Sequence, residues 1–593
     1  MDATQAKLDP ALLAVLANRF DSIVRDMTGT LLRTGHSAMI AVARDFSCAI
    51  ATADDELLAA AEGMPVHVFG AHLQTAYVRE MHPDLREGDA FLDNDPYVAN
   101  THAGDHTIMV PVFHDGEHLF TTSVKAHQAD IGNSIASSYH PFAKDVYEEG
   151  ALIFSATQVQ REYRDIDDIV RMCRRRIRVP DQWYGDYLAM LGAARIGERR
   201  LKEVVAKYGI ETIRTFIAEW LDYSERRMAH AISKLPAVRI SGETCHDPIG
   251  PVTEPVPVRA TIAVDPEEGT IEVDLRDNVD ALPVGINESM ACSTNNAVAG
   301  VLNVLERGVP INSGSFRRLR VRLREGAVVG IAQPPDSTSL ATTNVADRLT
   351  NVIQHAFAQI GDGHGLAEGA ASLSAGYAVI SGEDPRSDGS PYINQLIVGT
   401  NGGPGTPTVD GWLTYGAPGG AGLIYRDSVE VDEHKFPMLY TQLRVLPDTG
   451  GPGRFRGAPA SVVEYGPTAA PMVAAYQIDG HTTPARGAQG GGDGSTGAAY
   501  KIGRDGSAER TPDVTQTELA PGELIRGEHG GGGGYGDPFE REPARVLDDV
   551  LEGYVSEEAA RRDYGVAFSG TAADGTLAVD AEATAALRGP AVP

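Results

Sequence analysis

Ten of the 17 histidines in this 593-residue chain lie between His36 and His140. The densest stretch is NDPYVANTHAGDHT (Asn94–Thr107), followed by KAHQAD (Lys125–Asp130). His102, Asp105 and His106 sit together in the first, and His127 and Asp130 lie in the second. Imidazole and carboxylate side chains in one cluster suit a divalent metal such as Zn, Mn or Fe. Three or four nitrogen and oxygen ligands leave a coordination position for water, which metal-assisted hydrolysis needs. The four cysteines, Cys48, Cys173, Cys245 and Cys292, are scattered and form no C-x-x-C pair, which speaks against a zinc ribbon or a disulfide framework.

The elements around these residues explain how they meet. TIMVPVF (Thr107–Phe113) and HLFTTSVKA (His118–Ala126) are β-rich runs on either side of Asp115-Gly116, a hairpin signal. In such a hairpin the residues before the first strand and after the second lie side by side. His102/Asp105 and His127/Asp130 therefore converge at its open end. His114 and His118 flank the turn at the far end and read as exposed. His67 and His72, in PVHVFGAH, read as the surface of a helix, with a place behind the metal ligands as the alternative. Gly104 makes a helical pairing of His102 with His106 improbable, which leaves His106 ambiguous.

Upstream, apolar residues from Leu12 to Met27 recur at helical spacing over Pro10–Arg33, with Asp9 as N-cap and Pro10 at the first helical position. Ser37–Ala53 reads as two short strands around Arg44-Asp45, and residues 58–84 as mainly helical. Residues 145–235 are helical by pattern. RMCRRRIR (Arg171–Arg178) within them reads as a solvated or subunit-facing surface. At Pro236 the composition shifts to alternating Val, Thr and Pro. Residues 290–310 and 340–380 read as helical again. From Tyr392 on, short β runs alternate with glycine-rich stretches, ending in helices from Pro543. HGGGGGYGDP (His529–Pro538) reads as a backbone cradle for an anion, or as a flexible or tightly turning loop. The expected fold is α+β and multidomain: a metal-binding domain of helices and a β-hairpin over 1–235, a mixed middle domain over 236–390, and a β-rich, glycine-rich region over 391–593.

Composition narrows the function. The chain is 42% hydrophobic and 22% charged, an ordinary globular balance. With 51 basic and 81 acidic residues its formal charge is −30, which argues against nucleic acid or an anionic membrane as partner. No signal-peptide pattern opens the sequence and no run approaches 18 apolar residues, so a cytoplasmic location is expected. It contains no G-x-x-x-x-G-K-[ST], no H-E-x-x-H and no G-x-S-x-G.

Six motifs together resemble the hydantoinase B/oxoprolinase family: RDFSCAI (Arg44–Ile50), NDPYVANTHAGD (Asn94–Asp105), KAHQADIG (Lys125–Gly132), PINSGSFR (Pro310–Arg317), DTGGPGRFRG (Asp448–Gly457) and GGGGYGDP (Gly531–Pro538). They occur in family order along nearly the whole chain. The resemblance implies one divalent metal (Zn, Mn or Fe) held by His102, Asp105, His127 and Asp45, the last invisible to spacing alone. Asp130 is then a candidate catalytic carboxylate, orienting a ligand or taking a proton. His106, standing where similar proteins more often carry an apolar residue, is the second candidate. Similar proteins work with a hydantoinase A-like, ATP-binding subunit in a heterotetramer or larger, so ATP and Mg are implied in that partner only. The implied activity is the hydrolytic half of an ATP-dependent cyclic amidase opening a hydantoin, 5-oxoproline or lactam ring. There, metal-activated hydroxide attacks a carbonyl that the partner has phosphorylated. The alternative implied is the metal-bearing subunit of an ATP-dependent ketone carboxylase of the acetone or acetophenone type. A third reading is a non-catalytic scaffold for the ATPase.

Overall fold

The computed structural model describes residues 7–60, 63–372, 374–477 and 479–589. The first six residues of the N-terminal stretch read above lie outside them. Helix α1 (Pro10–Thr34) opens as expected: Asp9 accepts a hydrogen bond from the Ala11 amide, and Pro10 occupies the first turn. Its buried stripe, including Leu16, Phe20, Val24 and Met27, packs on α6 (Pro180–Tyr208). Phe20 stacks on Phe216 of α7 (Ile210–Ile232) with ring centroids 5.0 Å apart, and tilts against Phe120 at 5.6 Å.

These helices support a seven-stranded antiparallel sheet of order β2-β1-β5-β4-β3-β6-β7. Its strands are β1 (Phe46–Thr52), β2 (Leu57–Ala59), β3 (Ala90–Asp93), β4 (Asp105–His114), β5 (Glu117–His127), β6 (Thr157–Arg161) and β7 (Arg164–Asp165). The hairpin forms where the sequence places it. Asp115 and Gly116 are its two turn residues, both with positive φ (51° and 82°), the conformation a tight two-residue hairpin needs. The two short strands expected over Ser37–Ala53 are not both there. Met39–Ala43 is a single π-helical turn, closed by the Asp45 amide bonding the Met39 carbonyl, and only β1 follows. An apolar run of five residues cannot by itself distinguish a buried strand from a buried turn. Of residues 58–84, only α2 (Pro65–Val68) and α3 (Ala71–Met81) are helical.

A second sheet, β11-β10-β9-β8, combines β8 (Val238–His246), β9 (Val256–Asp265), β10 (Thr270–Asp274) and β11 (Leu319–Arg322). In β9, buried and half-buried residues alternate, the pattern of a sheet covered on one face. The helix α10 (Val345–Ala356) packs on this sheet and on α8 (Met290–Leu302). The helices expected over 290–310 and 340–380 are shorter than read. The second ends by Ile360, because Gly361, Gly363 and Gly365 all take positive φ.

The facing surfaces of α8 and α10 are buried yet polar, with Ser293, Asn295, Asn296, Asp347, Thr350 and Asn351 fully enclosed. Just before α8, burial pushes the Glu288 carboxyl up to about 8, although Ser293 donates to it at 2.8 Å; Asp347 rises to about 7 for the same reason. Both acids are neutral in the folded chain at mildly acidic pH.

Two further sheets follow among the described residues, one with the strand order Ser390–Gln395, Val379–Asp384, Met472–Gln477 and Val514–Leu519, the other Met438–Val445, Ser461–Pro467, Leu524–Glu528, Ala498–Ile502 and Ala508–Arg510. They enclose Ile380, Val463, Tyr465, Met472 and Ile525. Beside them, glycine-rich segments around Gly402–Gly411, Gly450–Gly457, Gly487–Gly494 and Gly530–Gly534 lie backbone against backbone. The run that read as an anion cradle, or as a flexible or tightly turning loop, is irregular backbone whose amides are taken by protein carbonyls, so it is neither a cradle nor flexible. The amides of Gly531, Gly532, Gly533 and Gly534 donate to the carbonyls of Ser495, Ala458, Glu368 and Gly492 at 2.9–3.1 Å. A Cβ on Gly531 would lie 1.7 Å from the Thr449 carbonyl oxygen, and one on Gly457 1.9 Å from that of Gly532. Three C-terminal helices, Pro543–Leu551, Glu557–Tyr564 and Ala581–Arg588, close the chain.

Two outcomes follow from this packing. Gly531→Ala should lower the thermal midpoint sharply or abolish soluble protein. Gly192→Ala, in α6 with nothing within 4 Å of the new methyl, should be neutral or stabilise by about 0.5–1 kcal/mol in a denaturant melt. Separately, an acid whose folded pKa is raised binds its proton more tightly folded than unfolded. Its contribution to stability is therefore lost as pH climbs from the unfolded value near 4.5 to the folded value near 8. Glu288→Gln should raise the melting temperature relative to wild type more at pH 8 than at pH 5, by roughly 5 °C.

Candidate metal centre

The site is built on the register of the hairpin. Asp105, the first residue of β4, is paired with His127, the last of β5. The His127 amide also bonds the Asp45 carbonyl at 3.0 Å, which brings the residue before β1 to the same place. His102 reaches it from the loop ahead of β4, where Asn100 holds the backbone by donating to the His102 and Asp105 carbonyls at 2.6 and 2.9 Å. Gly104 makes the approach possible: a Cβ there would lie 2.5 Å from His102 Cε1 and 2.9 Å from His127 Cε1.

Three donor atoms meet. His102 Nε2 and His127 Nδ1 each lie 3.1 Å from Asp105 Oδ1 and 3.3 Å from one another. All three residues are buried. His102 Nδ1 lies 2.9 Å from the Ser339 carbonyl. A carbonyl only accepts, so Nδ1 carries the proton, and in the neutral ring Nε2 presents a lone pair to the carboxylate and to the other imidazole. Lone pairs facing each other at that distance call for a shared cation. Donor separations of 3.1–3.3 Å are also those of neighbouring ligands around a metal, since bonds of about 2.1 Å give edges of about 3.0 Å in an octahedron and about 3.4 Å in a tetrahedron. The residues therefore fit a divalent ion.

The surroundings hold the donors in place. The two imidazole rings stack at 5.2 Å, and Tyr139 stacks on both at 5.6 and 5.1 Å. His127 Nε2 lies 2.9 Å from the Ser138 hydroxyl. Burial pushes the Asp105 carboxyl up, but the imidazoles of His102 and His67 outweigh it and hold it well below the usual carboxylate range. Burial likewise opposes charge on His102, and the Asp105 carboxylate overrides it, raising the imidazole pKa.

His67 belongs here although the helix-surface reading placed it elsewhere. It is 3% exposed, and its Nε2 lies 3.2 Å from Asp105 Oδ2 and 3.7 Å from Asp45 Oδ1. The four-residue helix that carries it is too short to show an amphipathic pattern. The one mark in the sequence is Pro65 at its start.

The structure does not bring His106 and Asp130 to the centre. Successive strand residues point to opposite faces, so with Asp105 directed at the cluster, His106 enters the helix-covered side. There it packs edge-on against Phe154 and Trp183, and burial drops its pKa to about 3. The Asp130 carboxylate accepts from the Gly132 amide at 2.9 Å and from the Arg178 amide and guanidinium, at 2.5 and 3.3 Å. It ties the loop after β5 to the start of α6. Elsewhere in the basic run, Arg171 pairs with Asp168 and Arg174 with Asp181 at the surface, and Arg176 donates to the Gly150 carbonyl.

Comparison with known proteins agrees with this architecture. The chain is 28% identical over 574 residues to the caprolactamase subunit beta of Pseudomonas jessenii, covering 95% of this chain and 97% of that one. The crystal structure of the ATP-dependent caprolactamase from the same organism superposes with a TM-score of 0.88 at 27% identity, over 98% of this chain and all of that one. A nucleotide-free acetone carboxylase structure matches with a TM-score of 0.86 over 98% of this chain and 82% of that one, at 19% identity, a likeness of fold alone. Residues 9–538 match the hydantoinase B/oxoprolinase family model, and the chain belongs to that family.

Proposed function

We propose that the chain is the hydrolytic subunit of an ATP-dependent cyclic amidase, with Asp45, His102, Asp105 and His127 as ligands of one divalent metal ion. The observation that carries this reading is the triangle of His102 Nε2, His127 Nδ1 and Asp105 Oδ1 at 3.1–3.3 Å, with the far nitrogen of His102 fixed on a backbone carbonyl. A divalent ion bound there supplies Lewis acidity and lowers the pKa of water towards neutrality. The name and ATP dependence of the Pseudomonas caprolactamase support amide-ring hydrolysis, and its designation as a beta subunit supports a second chain.

The division of labour follows from amide chemistry. Resonance protects a lactam carbonyl from water. Phosphorylating its oxygen gives an imidate-like electrophile with a good leaving group, work assigned to a hydantoinase A-like partner that holds ATP. No P-loop motif occurs in this sequence, in keeping with that assignment. This chain's residues prepare the second half. Thr101 donates to Asp105 Oδ2 and fixes the carboxylate plane. Ser339 sets the His102 tautomer, and Tyr139 walls off one face of the imidazole pair. Among the described residues, no helix is long and apolar enough to cross a membrane.

Metal analysis by mass spectrometry should find about one equivalent of Zn, Mn or Fe in the wild type and almost none in His127→Ala. Gly104→Ala should lose metal as well, because its methyl displaces both imidazoles. Reconstituted with its ATPase partner and offered cyclic amides, the wild-type complex should release ring-opened acid at the expense of ATP. His102→Ala should reduce turnover at least ~10³-fold while nucleotide binding by the complex persists. Full activity of His102→Ala would favour the scaffold reading. Incorporation of labelled bicarbonate carbon into product would instead favour ketone carboxylation.

A further inference from the structure

Solvent reaches the cluster at one residue. The Asp45 side chain is 14% exposed, against 1–2% for those of His67, His102, Asp105 and His127. The residues flanking Asp45, Arg44 and Phe46, line a cavity of about 480 Å³. So do Met64, Pro65 and Val68, on either side of His67, together with Leu302 and Ile311. The volume is that of an ordinary small-molecule site. Its mouth is marked by Leu423 and Tyr425, both half exposed, and the Tyr425 amide is bonded to the carbonyl of Ala43.

The wall is mostly apolar, with Thr28, Asn303 and the Tyr425 hydroxyl as polar exceptions, and it carries one charge. The Arg44 guanidinium lies 3.9 Å above the Tyr425 ring. Among the described residues no carboxylate or carbonyl accepts from it. Asp45, its neighbour in the chain, turns to the cluster instead, its carboxylate 3.7 Å from His67 Nε2, so among the described residues the Arg44 guanidinium is left with no carboxylate partner. Its backbone is also committed. Arg44 takes φ 55° at the end of the π-helical turn, a left-handed conformation that a side chain disfavours, and the Met39 carbonyl holds its amide there. That turn sends Asp45 to the cluster and Arg44 to the cavity, so the two sites share one reversal of the chain.

We propose that this cavity is the substrate pocket of the centre. It takes a small cyclic amide whose ring rests on the apolar wall and whose anionic group pairs with Arg44. That group is either a carboxylate on the ring or the phosphoryl group added to the amide oxygen. The stacked guanidinium keeps its in-plane N–H donors free for a two-point contact with either anion. The assignment rests on the amidase reading, and names the class of substrate it handles.

The test is a binding titration on the purified full-length chain, stripped with a chelator so that no probe reports by ligating metal. The probes are 5-oxoproline, its neutral ring 2-pyrrolidinone, and phenyl phosphate. Wild type should bind at least one of the two anions roughly tenfold more tightly than 2-pyrrolidinone. Arg44→Ala should erase that preference and Arg44→Lys should restore part of it. Ile311→Trp, which fills part of the cavity, should weaken anion binding as well. Each variant is checked by its melting profile, and the lysine variant keeps the test open if the alanine variant misfolds. Preference for 5-oxoproline identifies a ring carboxylate, and preference for phenyl phosphate identifies the phosphoryl group. Equal affinity for all three probes, no saturable binding of either anion at millimolar concentration, or a preference that survives Arg44→Ala overturns the assignment. A chain that binds the anion through Arg44 yet yields no amidase activity with its partner would overturn the amidase reading while leaving the pocket. An active complex whose KM ignores Arg44→Ala would do the reverse.

Discussion

The pairing of Asp105 with His127 across the open end of one hairpin is the constraint from which the rest of the N-terminal structure follows. Register in a β-ladder is all or nothing: a slip of one residue turns each side chain to the opposite face. Here it would place His106 at the cluster and Asp105 against Trp183, burying a charge among aromatic rings. The two-residue turn at Asp115-Gly116 and the one-residue bulge between Val112 and Phe113 together set that register, far from where it matters. Helices α1 and α6 cover its apolar face, α7 packs against both, and β1 delivers Asp45 alongside.

Much of this was legible because it is local. A D-G turn between two β-rich runs, and His and Asp at fixed offsets from their ends, specify a hairpin and what gathers at its mouth. The Asp9 cap and the helical spacing behind it are local too. The family motifs added Asp45, which no spacing argument reaches, and its carboxylate lies 3.7 Å from His67 Nε2. What stayed hidden depends on tertiary contacts. His67 arrives on a helix of four residues whose placement rests on a hydrogen bond from Asn295, more than 200 residues away. Asp130 has the offset of a site residue, yet its carboxylate is taken by the amide and guanidinium of Arg178, a partner that appears only when α6 docks. The π-helical turn at Met39–Ala43 has the same composition as a short buried strand.

The centre is also anchored from behind. Ser289, the N-cap of α8, donates its hydroxyl to the carbonyl of Thr101 at 2.7 Å, and Ser339 meets both the His102 ring and the His140 amide. The middle of the chain thus grips the histidine-bearing loop through hydrogen bonds rather than apolar contact. Of the enclosed polar residues of α8 and α10, Asn295 reaches the Val66 carbonyl beside His67, while Thr350 bonds Asn296, Asn351 bonds Gly369 and Asp347 accepts from the Gly419 amide. Buried polar groups of this kind are costly when unpaired and selective when paired, so they favour one arrangement of the two regions over near alternatives.

The glycine-rich segments have a thermal consequence. A conventional core hides hydrocarbon, and exposing it on unfolding raises the heat capacity, which curves the stability profile and weakens the fold in the cold. Where Gly402, Gly451, Gly457 and Gly532 interlock, what is withdrawn from water is peptide backbone, whose exposure changes heat capacity in the opposite sense. This region therefore flattens the stability curve of the chain and loses little of its hold on cooling, whereas the aromatic core around Phe20 and Phe216 loosens as the temperature falls.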